Sequence, residues 1–345
     1  MQISMQLSYA GGLKESADLA AGLEKAGLDI AWIAEAYGAD AVSVMGYIAA
    51  KTSTVKIASG ILPIYSRTPT LLAMTAAGVD ALSDGRCILG LGASGPQVIE
   101  GWHGVPYDRP LERTREIIEI CRQVWRRERV EHDGRNYTIP LPPDAGTGLG
   151  KPLKMITHPV RDRIPVYVAS LGPKNVEMTA EIAEGWLPIF YIPEKAKDVW
   201  GEPLAKGTAN RAADLPPLDI CAGGMLAIGD GPDVIGIREF GRPMAALYIG
   251  GMGAKGRNFY NELARRYGYE QEAEEIQDLY LAGKKDEAAA KVPAEFLELT
   301  SLVGPAGYVK ERIAAYQEAG VTVLNVLPVG GDPVKLIEQV KELAS

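Results

Sequence analysis

Short apolar runs alternate with amphipathic stretches along most of the chain. Residues 3–8, 29–34, 55–60, 87–91, 166–169, 186–190, 219–228 and 321–326 are short runs rich in Ile, Val, Leu and Ala, the pattern of strands buried on both faces. Helical spacing follows each of them, over 14–26, 41–51, 70–82, 111–127, 175–184, 195–205, 234–247, 308–319 and 334–344. In 14–26, Leu19, Leu23 and Ala26 share one face and Gly27 marks the stop. Eight strand–helix units predict an α/β fold, a (β/α)8 barrel. A doubly wound sheet is the alternative, but no G-x-G-x-x-G follows the first strand.

The rhythm breaks twice. Residues 130–163 read as a hairpin turning at Asp133-Gly134 and then an irregular loop, PLPPDAGTGLGKP. Residues 250–302 begin with Gly250, Gly251, Gly253 and Gly256 and become strongly helical, with Tyr260, Leu263, Ala264 and Tyr267 at packing spacing. No linker divides the chain, so 1–345 reads as one barrel domain with two insertions.

In a barrel the chemistry lies at the C-terminal strand ends. Here these are Ser8-Tyr9, Glu35-Ala36-Tyr37, Gly60-Ile61-Leu62, Gly92–Gly95, Ala169–Gly172, Pro188–Tyr191, Ile228-Gly229 and Leu327-Pro328. They carry no metal-ligand cluster and no Ser-His-Asp set. They are small or apolar, a lining suited to a flat organic cofactor that brings its own reactivity. The stretch GRCILGLGASGPQVIEGWHGVPY at 85–107 is the most distinctive, a buried run breaking into Gly92, Ala93, Ser94 and Gly95. Glu35 is the carboxylate at a strand end. It serves as acid, base or ring contact, or as a rim carboxylate paired to a neighbouring arginine. His103, beside Trp102, is a second candidate donor or a structural hydrogen-bond partner.

Composition narrows the classes. With 36 Lys and Arg against 44 Asp and Glu, the net charge of −8 disfavours nucleic acid and anionic membranes as partners. Three widely spaced cysteines, Cys87, Cys121 and Cys221, fit a reducing compartment. With no leader pattern at the N-terminus and no apolar run of bilayer length, the expectation is a cytoplasmic protein.

Several stretches resemble the luciferase-like monooxygenase superfamily, in its coenzyme F420-dependent branch. They are WIAEAYG at 32–38, SGI at 59–61, RTP at 67–69, LSDGR at 82–86, the 89–108 region, YVASLGPK at 167–174, AEGW at 183–186 and Gly304-Pro305. The resemblance implies a barrel, a deazaflavin cofactor with FMN as the alternative, a small-molecule substrate and a homodimer. It implies a non-prolyl cis peptide at Gly60-Ile61, after Ser59, forming a bulge behind the middle ring. It also implies ring contacts from Gly92, Ala93, Ser94 and Gly95, and a phosphate against Ala169, Ser170, Gly172, Gly185 and Trp186. The helix start at Pro173-Lys174 gives that last assignment a physical basis. Arg67, Arg109, Arg113 and Lys174 are candidate cations for the anionic tail, and residues 140–160 and 250–269 candidate covers. Sugar- and alcohol-oxidising relatives carry a histidine where Ala36 and Tyr37 follow Glu35, so their substrate class is not implied; the pattern is nearer to methylenetetrahydromethanopterin-reductase-like members. The expected activity is hydride transfer. An FMN-dependent, oxygen-using monooxygenase and a non-catalytic flavin or deazaflavin carrier are the alternatives.

Overall fold

The structure, a computed structural model, describes residues 1–8 and 11–345; Tyr9, named above at the first strand end, lies outside the described residues. Among the described residues eight parallel strands close into a ring. They are β1 (Gln2–Gln6), β2 (Ile30–Ile33), β3 (Lys56–Ser59), β4 (Cys87–Gly92), β5 (Val166–Ala169), β6 (Gly185–Trp186), β7 (Asp219–Ile228) and β8 (Val323–Pro328). Each pairs with the next, and Gln2 of β1 lies opposite Val323 of β8, so no edge is left open. Eight helices surround the ring: α1 (Leu13–Lys25), α2 (Ala41–Ala49), α3 (Pro69–Leu82), α4 (Pro110–Trp125), α5 (Pro173–Ile182), α6 (Pro193–Ala209), α7 (Ala306–Glu318) and α8 (Pro333–Leu343). The (β/α)8 barrel forms, and the doubly wound sheet does not. No helix of the described residues is long and apolar enough to cross a membrane.

Local sequence explains these elements. All six residues of β4 are buried, as a strand between helices and barrel interior must be. Helices α3, α4, α5, α6 and α8 open on proline, whose missing N–H has no partner to lose in a first turn. Asp40, Thr68 and Asp332 cap α2, α3 and α8 with their side chains. Gly27 ends α1 at φ 94°, a left-handed position open to glycine.

Three expectations shift. The sixth strand pairs only over Gly185–Trp186; Leu187 still donates to Val168, but Pro188 has no N–H to continue the ladder. The helix expected over 234–247 breaks into a short α segment, Pro232–Gly236, a 3-10 turn, Ile237–Gly241, a second α segment, Arg242–Ala246, and a π turn, Leu247–Gly251. Pro243 cannot donate to the preceding turn, so the helix restarts there. In the hairpin, His132–Asp133 pairs with Thr138–Ile139 and the turn is closed by Gly134 N–H donating to the Tyr137 carbonyl at 2.9 Å.

Ile30, Trp32, Ala58, Ile88, Tyr167, Cys221 and Val323 fill the barrel. The Trp32 and Tyr167 rings lie 5.6 Å apart, and Tyr167 Oη donates to Asp219 at 2.6 Å. This layer is a packed floor. The segment between β7 and α7 adds the helices Phe259–Arg266, Glu270–Leu281, Lys285–Ala290 and Ala294–Leu299 and the strand Leu302–Gly304, which pairs with β7. Its stripe is packing: Leu263, Ala264 and Tyr267 are buried, and Tyr267 Oη donates to the Phe190 carbonyl at 2.9 Å.

Candidate functional site

Above the Trp32–Tyr167 floor the strand ends become small. The ladder between β3 and β4 stops at Ala58 and Ile88. Beyond it, Ser59 Oγ donates to the Gly90 carbonyl at 2.9 Å and accepts the Gly90 N–H at 2.8 Å. A β-carbon at Gly90 would fall 1.8 Å from the Ser59 carbonyl oxygen, so this joint requires glycine. The next peptide, Gly60–Ile61, is cis. Pairing resumes with Leu62 opposite Leu91 and Pro63 opposite Gly92.

Ile61 then covers Gly92. A β-carbon at Gly92 would lie 2.9 Å from Ile61 Cγ1 and 3.4 Å from the Ala169 β-carbon. Gly60, Ile61, Gly92 and Ala169 thus make one continuous, almost featureless apolar wall. Across the ring, β8 carries Asn325, which accepts a hydrogen bond from the buried Ser4 hydroxyl at 3.1 Å. Neither Gly90 nor the Ser4–Asn325 pair is among the strand-end candidates of the sequence. The signal available for the Ser4–Asn325 pair is a polar residue inside each of two apolar runs.

The Gly92–Gly95 turn leaves the wall. Ser94 sits at φ 57°, exposed, and its carbonyl accepts from Tyr107 Oη at 3.4 Å. Gly95 is buried near Met252 of the β7–α7 segment. After β5, Ser170 is buried; its hydroxyl shares a hydrogen bond with Thr179 at 2.9 Å, and its carbonyl accepts from the Trp186 indole at 2.9 Å. Gly172 starts α5 with no side-chain cap.

Ser59, Gly60, Ile61, Gly92 and Ala169 therefore meet, with Ala93, Ser94 and Gly95 continuing from them. Gly185 and Trp186 lie deeper. A β-carbon at Gly185 would fall 2.3 Å from the Tyr167 ring, and Trp186 is fully buried, edge-on to Trp200 at 5.1 Å. They support the loop after β5 from below.

Glu35 is bound on both oxygens. Arg67 donates to Oε1 at 2.5 Å and to Oε2 at 2.8 Å, and Oε2 also accepts the Ala41 N–H at 3.0 Å. The hydrogen bond to Glu35 raises the pKa of the Arg67 guanidinium. His103 is half-buried and its Nε2 has no hydrogen-bond partner. Its neighbour Trp102 faces Tyr37 with ring centroids 6.3 Å apart, which brings the loops after β2 and β4 together. Of the four candidate cations, Arg67 is held by Glu35, and Arg109 and Arg113 are both held by Asp108, at 2.9 and 2.6 Å. Lys174 is exposed and forms no ion pair among the described residues.

Sequence and structure comparisons find relatives of the whole chain. A protein of Mycobacterium tuberculosis named as a coenzyme F420-dependent oxidoreductase, Rv3520c, is 42% identical over 350 aligned positions, covering 100% of this chain and 98% of that protein. The 5,10-methylenetetrahydromethanopterin reductase of Archaeoglobus fulgidus is 28% identical, covering 91% of this chain and 90% of its own. The solved coenzyme F420-dependent tetrahydromethanopterin reductase of Methanopyrus kandleri superposes with a TM-score of 0.80 at 24% identity, over 98% of this chain and 96% of that one. The family model for luciferase-like monooxygenases matches residues 1–323. The chain belongs to the luciferase-like monooxygenase family.

Proposed function

We propose that the protein is a coenzyme F420-dependent oxidoreductase, exchanging a hydride between the deazaflavin and a small organic substrate at the barrel mouth. The observation that carries this reading is the Ile61–Gly92–Ala169 wall, which stays flat because residue 92 has no β-carbon. Such a wall fits a planar ring and offers no nucleophile of its own. The relative at 42% identity, named for coenzyme F420, favours the deazaflavin over FMN.

A deazaflavin, when bound, supplies a two-electron hydride centre. The protein's part is to hold and orient it. Ser59 and Gly90 fix β3 to β4 and so fix Ile61 behind the ring. Backbone N–H groups of the Gly92–Gly95 turn, through Ala93 and Ser94, suit the ring's polar edge. Ala169, Ser170, Gly172, the uncapped start of α5 and Lys174 suit a phosphate. Gly185 and Trp186 act as positioning residues for that loop, Trp186 through the Ser170 carbonyl. Glu35 is likewise a positioning residue, tying the end of β2 to the loop before α3 through Arg67. His103, whose buried Nε2 has no protein partner, is the candidate acid or base toward the substrate. The β7–α7 segment, reaching Gly95 through Met252, excludes water from one side.

Two further assignments belong to this reading. The face of α3 that exposes Leu71, Met74 and Leu82, extended by Val160 beside Gly85, is the contact for a second copy. Three buried free thiols, Cys87, Cys121 and Cys221, support a cytoplasmic setting.

The test is label transfer. Reduced coenzyme carrying deuterium at its donor carbon is incubated with the protein and a panel of activated carbonyls, imines and alkenes. Deuterium appearing in a product supports the assignment. Oxygen consumption dependent on FMN assigns a monooxygenase instead, and coenzyme retention without turnover of any acceptor assigns a carrier.

A further inference from the structure

The β7–α7 segment contains a cleft of about 360 Å³ that the wall and its loops do not use. Its polar lining includes Lys255, Arg257, Asn261, Glu262, Arg265 and Gln277. The frame is rigid. Asn258 caps the helix Phe259–Arg266, accepting from Tyr260 and Asn261 N–H groups, and donates to the Tyr248 and Ile249 carbonyls. Asn261 donates to the carbonyls of Ile249 and Ala273 and accepts from Arg265 Nε at 2.9 Å, which sets the guanidinium.

One buried donor in this frame is unmet, and one exposed cation is unpaired. Gln277 is 2% exposed, yet its Nε2 has no partner. Burying an amide donor without an acceptor is costly, and beside a polar cleft an acceptor that enters the cleft can meet it. The Arg257 guanidinium forms no ion pair or hydrogen bond among the described residues. Lys255 is neutralised by Asp278 at 2.7 Å. Glu274 also acts on Lys255, Glu262 is the carboxylate in the lining, and Arg257 is left as the unpaired cation of the cleft. Phe259, also in the lining, lies with its ring 3.4 Å from the β-carbon position of Gly172, at the start of α5. The cleft thus adjoins the loop after β5.

We propose that this cleft is an anion subsite, taking a carboxylate or phosphate group on a ligand that extends from the barrel mouth past Phe259. Two sources share that chemistry: the acidic tail of the coenzyme and an acidic substrate. The choice of source rests on the proposed function, whereas anion binding does not.

The experiment uses the full chain and the variants Arg257→Ala and Gln277→Leu, each with its Tm measured. Inorganic phosphate and γ-glutamylglutamate are titrated by calorimetry. Coenzyme F420 and a ring-only deazaflavin lacking phosphate and tail are then titrated by fluorescence. Both variants are expected to lose about tenfold in affinity for the anions, the coenzyme or both. Weakened coenzyme binding with the ring-only compound unaffected assigns the subsite to the tail. Loss of anion binding with coenzyme affinity unchanged assigns it to an acidic substrate. Anion and coenzyme affinities that both survive the two substitutions overturn the subsite. Failure of the wild type to bind either deazaflavin, while anion binding remains sensitive to both substitutions, overturns the cofactor reading and leaves the subsite standing.

Discussion

Arg67 grips both carboxylate oxygens of Glu35, and the two side chains retain only 15% and 7% of their exposure. Removing one partner strands the other's charge in a largely dry setting. Glu35→Gln and Arg67→Met should each destabilise the fold by about 2–4 kcal/mol, at the lower side of the range for buried pairs because Arg67 keeps some solvent contact. The double variant should lose less than the sum, read from urea midpoints. As a positioning residue, Glu35 should also leave the shape of the pH–rate profile intact in the Gln variant; loss of one limb would make it an acid or base instead.

Gly92 is where the wall tolerates no β-carbon. Gly92→Ala pushes a methyl against Ile61 Cγ1, at 2.9 Å before relaxation. Coenzyme affinity should fall by about tenfold, with ΔG of unfolding changed by about 1 kcal/mol. Gly307→Ala, in α7 with nothing within 4 Å of the added carbon, is the control. It should leave affinity alone and raise stability by up to about 1 kcal/mol.

Two glutamates couple stability to pH. Burial pushes the Glu116 carboxyl up, but donors from Asn136, His132 and the Tyr137 N–H outweigh it and hold the group below the usual carboxylate range. Glu24 behaves alike, with burial outweighed by the N–H groups of Val55, Thr54 and Ser53. A depressed folded-state pKa means the contribution is complete above the unfolded value, about 4.3 for Glu, and disappears as pH falls through the folded value. Urea midpoints between pH 3 and 7 should drop on the acid side, and less steeply in Glu116→Gln.

The exposed α3 face gives a test of assembly. Leu82 is 70% exposed and Met74 54%. Leu82→Glu with Met74→Lys should convert a dimer to a monomer in light scattering, without changing the circular dichroism spectrum. A monomeric wild type would reject the assigned interface.

Much of this was legible in the chain. Buried runs such as Cys87–Gly92 and the helical spacing after them specify the barrel, and the Gly and Ala strand ends specify a mouth poor in functional side chains. The contact between Ile61 and Gly92 was not legible, because it depends on register between β3 and β4 after the ladder is interrupted. Nor could spacing separate site residues from fasteners. Arg86, in the LSDGR stretch, bonds the Val55 and Thr52 carbonyls at 2.7 and 2.9 Å and locks β4 to its neighbours. Glu184, in AEGW, accepts the Val166 N–H at 2.8 Å and Arg122 at 2.9 Å. A charged residue beside glycine at a strand boundary reads alike in both roles, and only its partners tell them apart.

The most direct measurement is a titration of the purified apoprotein with oxidised coenzyme F420 and, separately, with FMN, followed by fluorescence. The account predicts saturable deazaflavin binding at micromolar concentration, at least about 100-fold tighter than FMN and weakened in Gly92→Ala. Tight FMN binding with no deazaflavin bound, or equal affinity in wild type and Gly92→Ala, would contradict it.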